Sequence, residues 1–198
     1  MLFCGVGVIL DKRESERNRN LEMNGKKIWK EIVCYGKIIL FSLLAAFFIS
    51  RTLIANAQVP TGSMESTIMT GSRIIINRLA YLAAKPERGD IIAFQCPDET
   101  DPKAVPYLKR IIALSGETIE GKDGKVYIDG CPLEEPYLTG QTVQDFGPYT
   151  VPGDSCFVMG DNRNNSWDSR FWVNKFVNYD VIAGRAEFEY YPEPKLLH

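Results

Sequence analysis

The chain has one histidine, His198, at the end of its 198 residues. Chain ends are usually mobile, so we exclude a mechanism that needs a buried histidine base. A nucleophilic serine then needs another base, and a lysine whose charged form is destabilised by burial is the usual substitute. Lys109 is the best candidate, because it lies in the apolar segment 105–114 while most other lysines have polar neighbours. An edge-strand lysine that hinders aggregation is the alternative interpretation of this segment alone.

The pleat of a strand decides which neighbours Lys109 contacts. Strand residues alternate between two faces, so Lys109 shares a face with Tyr107 and Ile111, whereas Arg110 points to the other face. Lowering the pKa of a lysine from about 10.4 to about 8 costs roughly 3 kcal/mol of desolvation. We expect such a cost only for a lysine inside an apolar strand.

The candidate nucleophile lies in segment 59–67, directly after an apolar stretch. Gly62 permits a turn that exposes the hydroxyl and the backbone N–H of Ser63. A plain polar linker would have a similar composition, so this segment alone leaves both interpretations open.

A third polar segment, 159–170, is rich in Asp, Asn, Ser and Arg, and Asp168 and Arg170 are suited to form an ion pair. An ordinary polar loop is the alternative. A calcium loop is a poor match, because the segment has few carboxylates and no Glu at the twelfth position. The five cysteines also lack metal-ligand spacing, so we predict no metal site. In the C-terminal part we favour free thiols over a Cys131–Cys156 disulfide.

The apolar stretch before this region predicts one transmembrane helix. Residues 38–50 carry no charge. If Arg51 extends toward the lipid headgroups, the apolar segment reaches about 20 residues, enough to cross a bilayer. A buried core helix or a cleaved secretory signal is the alternative, since residues 55–57 (Ala-Asn-Ala) resemble a cleavage site. Self-cleavage at these residues is a related hypothesis.

The charges around this stretch predict its orientation. Most residues on its N-terminal side that carry charge are Lys or Arg, and these favour the cytoplasmic side. We therefore predict a cytoplasmic tail at 1–36, a membrane span at 37–57 and an outward domain at 58–198. Translation that starts at Met23 would leave a shorter basic tail. The net charge of −2 argues against a nucleic-acid-binding protein.

Residues 58–198 have the patterns of short strands. Apolar β-branched runs end at Gly, Pro or charged residues, and the Asp-Gly pair at 123–124 predicts a tight hairpin. The predicted strands are 72–77, 90–95, 107–114, 118–120, 126–129, 155–159 and 181–191. We expect a mainly β domain built on an antiparallel sheet.

Four motifs after the apolar stretch resemble the sequence boxes of bacterial type I signal peptidases of the short Gram-positive type. In chain order they are PTGSMEST at 60–67, RGDIIAF at 88–94, YLKRIIALSGE at 107–117 and GDNRNNSWDSR at 160–170. The resemblance implies a partly open antiparallel β-barrel preceded by one N-terminal transmembrane helix. It also implies a membrane-bound serine endopeptidase that removes signal peptides from exported preproteins, cutting after small residues at positions −1 and −3.

The resemblance further implies roles for single residues. Ser63 is the nucleophile and Lys109 is the general base that takes its proton. The hydroxyl of Thr61 joins the backbone N–H of Ser63 in the oxyanion hole, and Ser166 holds the lysine in position.

Four further positions in the last motif are implied to support the site. Asp168 and Arg170 match a structural salt bridge, and Gly160 and Asp161 belong to the same supporting loop.

Three positions depart from the family pattern. Ser66 and Ser115 replace prolines that are usual in the family, and Glu65 places a charge beside a site that needs an uncharged lysine. None of these positions supplies a reacting atom, so we expect activity to survive.

The resemblance implies a protein of the bacterial cell membrane with its N-terminus in the cytoplasm. Its implied partners are the signal peptides of secreted preproteins, the lipid bilayer and the secretion translocon, without nucleic acid, metal or cofactor. Two other functions stay open. One is a catalytically inactive, membrane-anchored β-domain, and the other is a different Ser/Lys protease of the self-cleaving type.

Overall fold

The computed structural model describes five parts of the chain, residues 29–49, 53–82, 84–101, 103–138 and 144–197. The chain divides into two compact units, Met1–Ile49 and Ser50–His198. Cys4, Met23 and most of the tail predicted at 1–36 lie outside the described residues.

The first unit contributes one described helix, α1, at Trp29–Ile49. It is 21 residues long and apolar enough to cross a membrane, and its apolar side chains are exposed. This helix lies earlier in the chain than the span predicted at 37–57. The prediction placed residues 54–57 in the span, but they belong to a strand, since Ile54–Gln58 pair with a neighbouring strand along their whole length.

The second unit is built from short strands. They are β1 Ile54–Gln58, β2 Arg73–Asn77, β3 Ile91–Phe94, β4 Tyr107–Ala113, β5 Thr118–Lys122, β6 Lys125–Ile128, β7 Cys131–Pro132, β8 Phe146–Thr150, β9 Ser155–Met159, β10 Val177–Asn178, β11 Ile182–Tyr191 and β12 Lys195–Leu196. Short 3₁₀ helices lie at Gly62–Met64, Arg163–Asn165 and Tyr179–Val181. Each strand predicted from the sequence has a counterpart here.

The strands form two antiparallel sheets. The larger sheet has eight strands in the order β1-β2-β11-β3-β4-β9-β10, with β12 paired to β11, and the smaller has the order β7-β6-β5-β8. The larger sheet curls into a half-barrel. The predicted mainly β, partly open antiparallel fold is therefore confirmed.

The hydrophobic core fixes the segment that carries the candidate serine. Met64 and Ile68 are fully buried and pack with Ile74 and Ile91 from the larger sheet. Burial of one such side chain stabilises the fold by about 1.5–3 kcal/mol. The residues that follow Ser63 therefore anchor this segment to the larger sheet.

The cysteines of the second unit are free thiols, as the sequence favoured. Cys96 and Cys156 are buried and Cys131 is exposed. The alternative Cys131–Cys156 disulfide is not formed.

Candidate active site

Ser63 lies in a short turn that two neighbouring segments hold in place. Thr61 is extended (φ −127°, ψ 153°), and the chain then forms the 3₁₀ helix Gly62–Met64. The backbone N–H of Asn162 donates to the carbonyl of Ser63 (3.1 Å), and its side-chain amide donates to the carbonyl of Gly62 (2.9 Å). The serine turn is therefore fixed to the loop that follows β9.

The Ser63 hydroxyl and the Lys109 amine are in direct contact. Nζ of Lys109 donates a hydrogen bond to Oγ of Ser63 over 2.7 Å. Lys109 is only 3% exposed, and this burial lowers its pKa to about 8, against an opposing effect of the Asp168 and Asp161 charges. With this pKa about half of Lys109 is neutral at pH 8, and a neutral amine can accept a proton. We refer to these two residues as the Ser/Lys pair.

Thr61 places a second hydroxyl beside the serine. Its Oγ1 lies 3.4 Å from Oγ of Ser63. This distance is at the limit of a hydrogen bond, so the two hydroxyls are close neighbours in the site.

Gly160 lets the supporting loop approach the serine turn closely. A Cβ at Gly160 would overlap with the carbonyl oxygen of Ser63 and with Oγ of Ser166. Only glycine fits this contact without movement of the backbone. Ser166 is thus brought next to the serine turn.

Ser166 makes no hydrogen bond to Lys109 in the described structure, so the positioning role that the resemblance implies for it stays a prediction. Its Oγ is buried, and no hydrogen-bond partner lies near it in the part of the chain that the structure describes. The amine of Lys109 donates to Ser63 instead. Buried hydroxyls without a hydrogen-bond partner are uncommon, so the Ser166 hydroxyl is an unusual feature of this region.

The predicted ion pair of Asp168 and Arg170 is formed in the interior. Arg170 donates to the carboxylate through Nε (2.8 Å) and Nη2 (2.9 Å), and Nη2 also donates to the carbonyl of Arg163. The other partner of Asp168 is the backbone N–H of Gly160 (3.0 Å). The pair therefore holds both ends of the loop that contacts Ser63.

A second buried ion pair was not predicted from the sequence. Arg110 donates to Asp161 through Nε (2.9 Å) and Nη2 (2.7 Å), and its guanidinium lies 4.1 Å from the ring centroid of Tyr137. Thr67 also donates to the Asp161 carboxylate. A buried arginine needs a carboxylate partner, so the apolar surroundings of Arg110 were a usable signal. Which carboxylate it binds depends on the tertiary fold.

Another missed contact fixes the outer side of the supporting loop. Arg163 forms a buried ion pair with Glu135, with 2.9 Å between Nη1 and Oε2, and donates to the carbonyl of Gly160 (3.1 Å). Arg163 therefore links the segment of Glu135 to the loop at Gly160.

The positions that depart from the family pattern are accommodated. The carboxylate of Glu65 accepts from Oγ1 of Thr70 (2.8 Å), so its charge is directed to this hydroxyl. Ser66 is exposed and donates to the carbonyl of Tyr137 (3.3 Å), and Ser115 lies exposed in a turn.

A cleft of about 770 Å³ contains both members of the Ser/Lys pair. Its apolar wall includes Ala55, Ala57, Ala93, Ala104, Val105 and Leu108. Alternate residues of a strand point to opposite faces of the sheet. All four residues 55–58 nevertheless line the cleft, so the cleft lies beside the strand and not on one of its faces. β1 ends the larger sheet, and no strand of the described residues pairs with its outer edge, which therefore borders the cleft.

Another part of the cleft lining has a strand edge that no described strand pairs with. β4 pairs with β3 from Tyr107 to Arg110, but its pairing with β9 begins only at Arg110. Tyr107, Leu108 and Lys109 line the cleft. An extended chain in the cleft can thus form backbone hydrogen bonds on both sides.

Among the described residues, no cluster of three or more His, Cys, Asp or Glu side chains could hold a metal ion.

Residues 32–191 match the protein family described as signal peptidase, peptidase S26. A probable signal peptidase I-2 of Synechocystis sp. is 35% identical over 184 residues, which cover 91% of this chain and 82% of that protein. The signal peptidase I of Leptolyngbya laminosa is 40% identical over 166 residues, or 81% of this chain and 80% of that protein.

Signal peptidase I T of Bacillus subtilis is 34% identical over 187 residues, covering 89% of this chain and 94% of that protein. A crystal structure of a signal peptidase I from Enterococcus faecalis covers 52% of this chain and 97% of its own, with 37% identity and a TM-score of 0.44. The resemblance inferred from the four motifs is confirmed. Because the family match and these relatives span most of the sequence, the chain belongs to the signal peptidase family, peptidase S26, whose members are peptidases that process signal peptides.

Proposed function

We propose that the protein is a membrane-anchored serine endopeptidase that cuts signal peptides from exported preproteins, with Ser63 as nucleophile and Lys109 as general base. One observation carries the proposal: the Lys109 amine lies 2.7 Å from Oγ of Ser63 and is buried so deeply that its pKa falls to about 8. A lysine of this kind can serve the base role that histidine has in other serine proteases.

In the first half of the proposed reaction, the substrate becomes attached to the enzyme. Neutral Lys109 takes the hydroxyl proton of Ser63 while Oγ attacks the carbonyl carbon of the residue at position −1. The carbonyl oxygen becomes negatively charged and accepts hydrogen bonds from the N–H of Ser63 and the hydroxyl of Thr61. The peptide C–N bond then breaks, and Lys109 returns the proton to the departing amine.

In the second half, water releases the signal peptide. Lys109, again neutral, takes a proton from a water molecule that attacks the ester carbonyl of Ser63. The ester bond breaks, the proton passes to Oγ of Ser63, and the free enzyme is restored. Ser166 is proposed to hold the lysine during these transfers, because its buried hydroxyl lies next to the serine turn and has no hydrogen-bond partner among the described residues.

The supporting residues are proposed to keep this geometry. Asp168, Arg170, Gly160 and Asp161 act on Ser63 through the loop that contacts its carbonyl. A displacement of about 1 Å in such a site can cost about a hundredfold in rate.

The substrate is proposed to bind as an extended strand between the free edges of β1 and β4. Alternate side chains of such a strand point into the apolar wall, where Ala57, Ala93 and Leu108 lie. Pockets against a wall of this kind accept small residues, which supports cleavage after small residues at positions −1 and −3.

The membrane arrangement is also a proposal. The basic residues before α1 favour a cytoplasmic tail, Trp29–Ile49 is apolar enough to cross the bilayer, and the second unit then lies outside the cytoplasm. This places the enzyme in the bacterial cell membrane, where its partners are preprotein signal peptides, lipid and the translocon.

The test is cleavage of a peptide with an Ala-x-Ala junction by the full chain in detergent. Ser63→Ala and Lys109→Met remove the hydroxyl and the amine, and Lys122→Met is the matched control because Lys122 is exposed at the end of β5. We expect wild type and the control to cut after the alanine at position −1. Each of the other variants should lose about a thousandfold or more.

Two results would contradict the proposal. A folded wild type that does not cut would favour the inactive, membrane-anchored β-domain. A rate that survives in Ser63→Ala or Lys109→Met would show that other groups carry the reaction.

A further inference from the structure

An exposed aromatic pair lies on the supporting loop. The rings of Trp167 and Phe171 stack with 5.4 Å between centroids and 11° between planes. Trp167 is 61% exposed. The guanidinium of Arg170 lies 4.9 Å from the centroid of the Phe171 ring, and Arg170 is itself fixed by the buried carboxylate of Asp168. The indole is therefore held on a rigid base while most of its surface faces outward.

Trp167 belongs to the same cleft as the Ser/Lys pair. Trp167 and Asn165 line this cleft together with Ser63 and Lys109. They reach it from the loop whose Asn162 donates to the carbonyls of Gly62 and Ser63. A rigid, exposed indole that lines the cleft is suited to contact whatever occupies it.

The chain directions indicate which part of a peptide reaches Trp167. β1 leads toward Ser63 and β4 leads toward Lys109. Four successive antiparallel pairings connect β1 to β4, so the two strands run in the same direction and approach the pair from the same end of the cleft. Trp167 lies on neither wall. If the signal-peptide residues occupy the walls, the residues after the cut bond continue toward the loop of Trp167.

We propose that Trp167 is a specificity-determining residue that contacts the side chain at position +1 or +2, the first residues of the mature chain. An indole face favours aromatic side chains through stacked or edge-to-face contact. The enzyme should therefore cut junctions with an aromatic residue at one of these positions faster than junctions with alanine there. This inference rests on the proposed function, because it assigns a contact to the same substrate.

The test compares three peptides that share one Ala-x-Ala junction and differ at positions +1 and +2, with Ala-Ala, Phe-Ala or Ala-Phe. The full chain in detergent is assayed for kcat/KM as wild type, Trp167→Ala and Trp167→Phe. Val173→Ala is the matched control, because Val173 is an exposed apolar residue of the same region (87% exposed) outside the cleft lining.

We expect wild type to prefer one phenylalanine peptide over the Ala-Ala peptide by about three- to tenfold, the range of one aromatic contact. Trp167→Ala should abolish this preference, Trp167→Phe should keep most of it, and Val173→Ala should leave it unchanged. A purely structural role of Trp167 would instead lower kcat/KM for all three peptides by the same factor.

Several results would overturn the inference. The inference fails, and the proposed function stands, if wild type cuts all three peptides equally while Ser63→Ala is inactive. It also fails if the effect of Trp167→Ala appears only in phospholipid vesicles and for every peptide alike, since Trp167 would then contact lipid. A wild type that cuts no peptide would instead refute the proposed function itself.

Discussion

Replacing the buried lysine should make the protein inactive and more stable at neutral pH. The folded-state pKa of Lys109 is about 8, below the ordinary value of 10.5. At about 1.36 kcal/mol per pH unit, this difference corresponds to about 3 kcal/mol. Below pH 8 the lysine is protonated in both the folded and the unfolded state, so folding bears the whole cost of burying its charge. Lys109→Met removes the charge and keeps the length of the side chain.

The sign of the pH dependence follows from proton binding. Between about pH 8 and pH 10.5 the unfolded chain still holds the proton and the folded protein has released it, so wild-type stability rises with pH. The advantage of Lys109→Met should therefore be about 3 kcal/mol at pH 7 and fall below about 1 kcal/mol at pH 10.

The measurement is denaturant unfolding of the full chain in detergent, followed by tryptophan fluorescence at pH 7 and pH 10. Lys122→Met, at an exposed position, should match wild type at both values. The reasoning is refuted if Lys109→Met is less stable than wild type at pH 7. An equal difference at the two pH values would refute it as well, because the effect would then not come from the lysine charge.

Three further predictions concern activity and processing. Peptide cleavage should rise about tenfold per pH unit below pH 8 and level off above it, since neutral Lys109 is the proposed base. A flat profile from pH 6 to 9 would contradict this. Gly160→Ala should lower kcat at least tenfold, because the added Cβ would overlap with the Ser63 carbonyl. Gly153→Ala is the control and should match wild type in the same assay, since nothing lies within 4 Å of a Cβ there. The active enzyme should keep the residues before Gln58, because Ala57 is paired with β2, and an intact mass that begins at Gln58 would disprove this.

The strands and the two candidate residues that the structure brings into contact, Ser63 and Lys109, were predictable because their signals are local. β-branched runs such as Ile74–Ile76 indicate strands wherever they pack, and a lysine among apolar residues is unusual enough to identify Lys109 without its surroundings. The absence of an internal histidine narrowed the choice of base further.

The features that were missed depend on partners distant in the sequence. Residues 54–58 are apolar enough to continue a membrane span, and only pairing with β2 makes them a strand. β8 contains Gly147 and Pro148, which are rare in strands, and pairing with β5 places them there. Likewise, an arginine among apolar residues indicates a carboxylate partner, but that this partner is Asp161 depends on where the fold places the loop after β9.

Lys109 and Arg110 are adjacent in β4, but the pleat of the strand directs their side chains to different environments. Lys109 faces the cleft and can lose its proton, whereas Arg110 faces the interior and binds Asp161. Deleting or inserting one residue in this strand would exchange their faces. A guanidinium would then sit beside Ser63, and it cannot be deprotonated at any pH that the protein tolerates. We therefore expect related sequences to have insertions and deletions in the turns around β4 but not inside the strand.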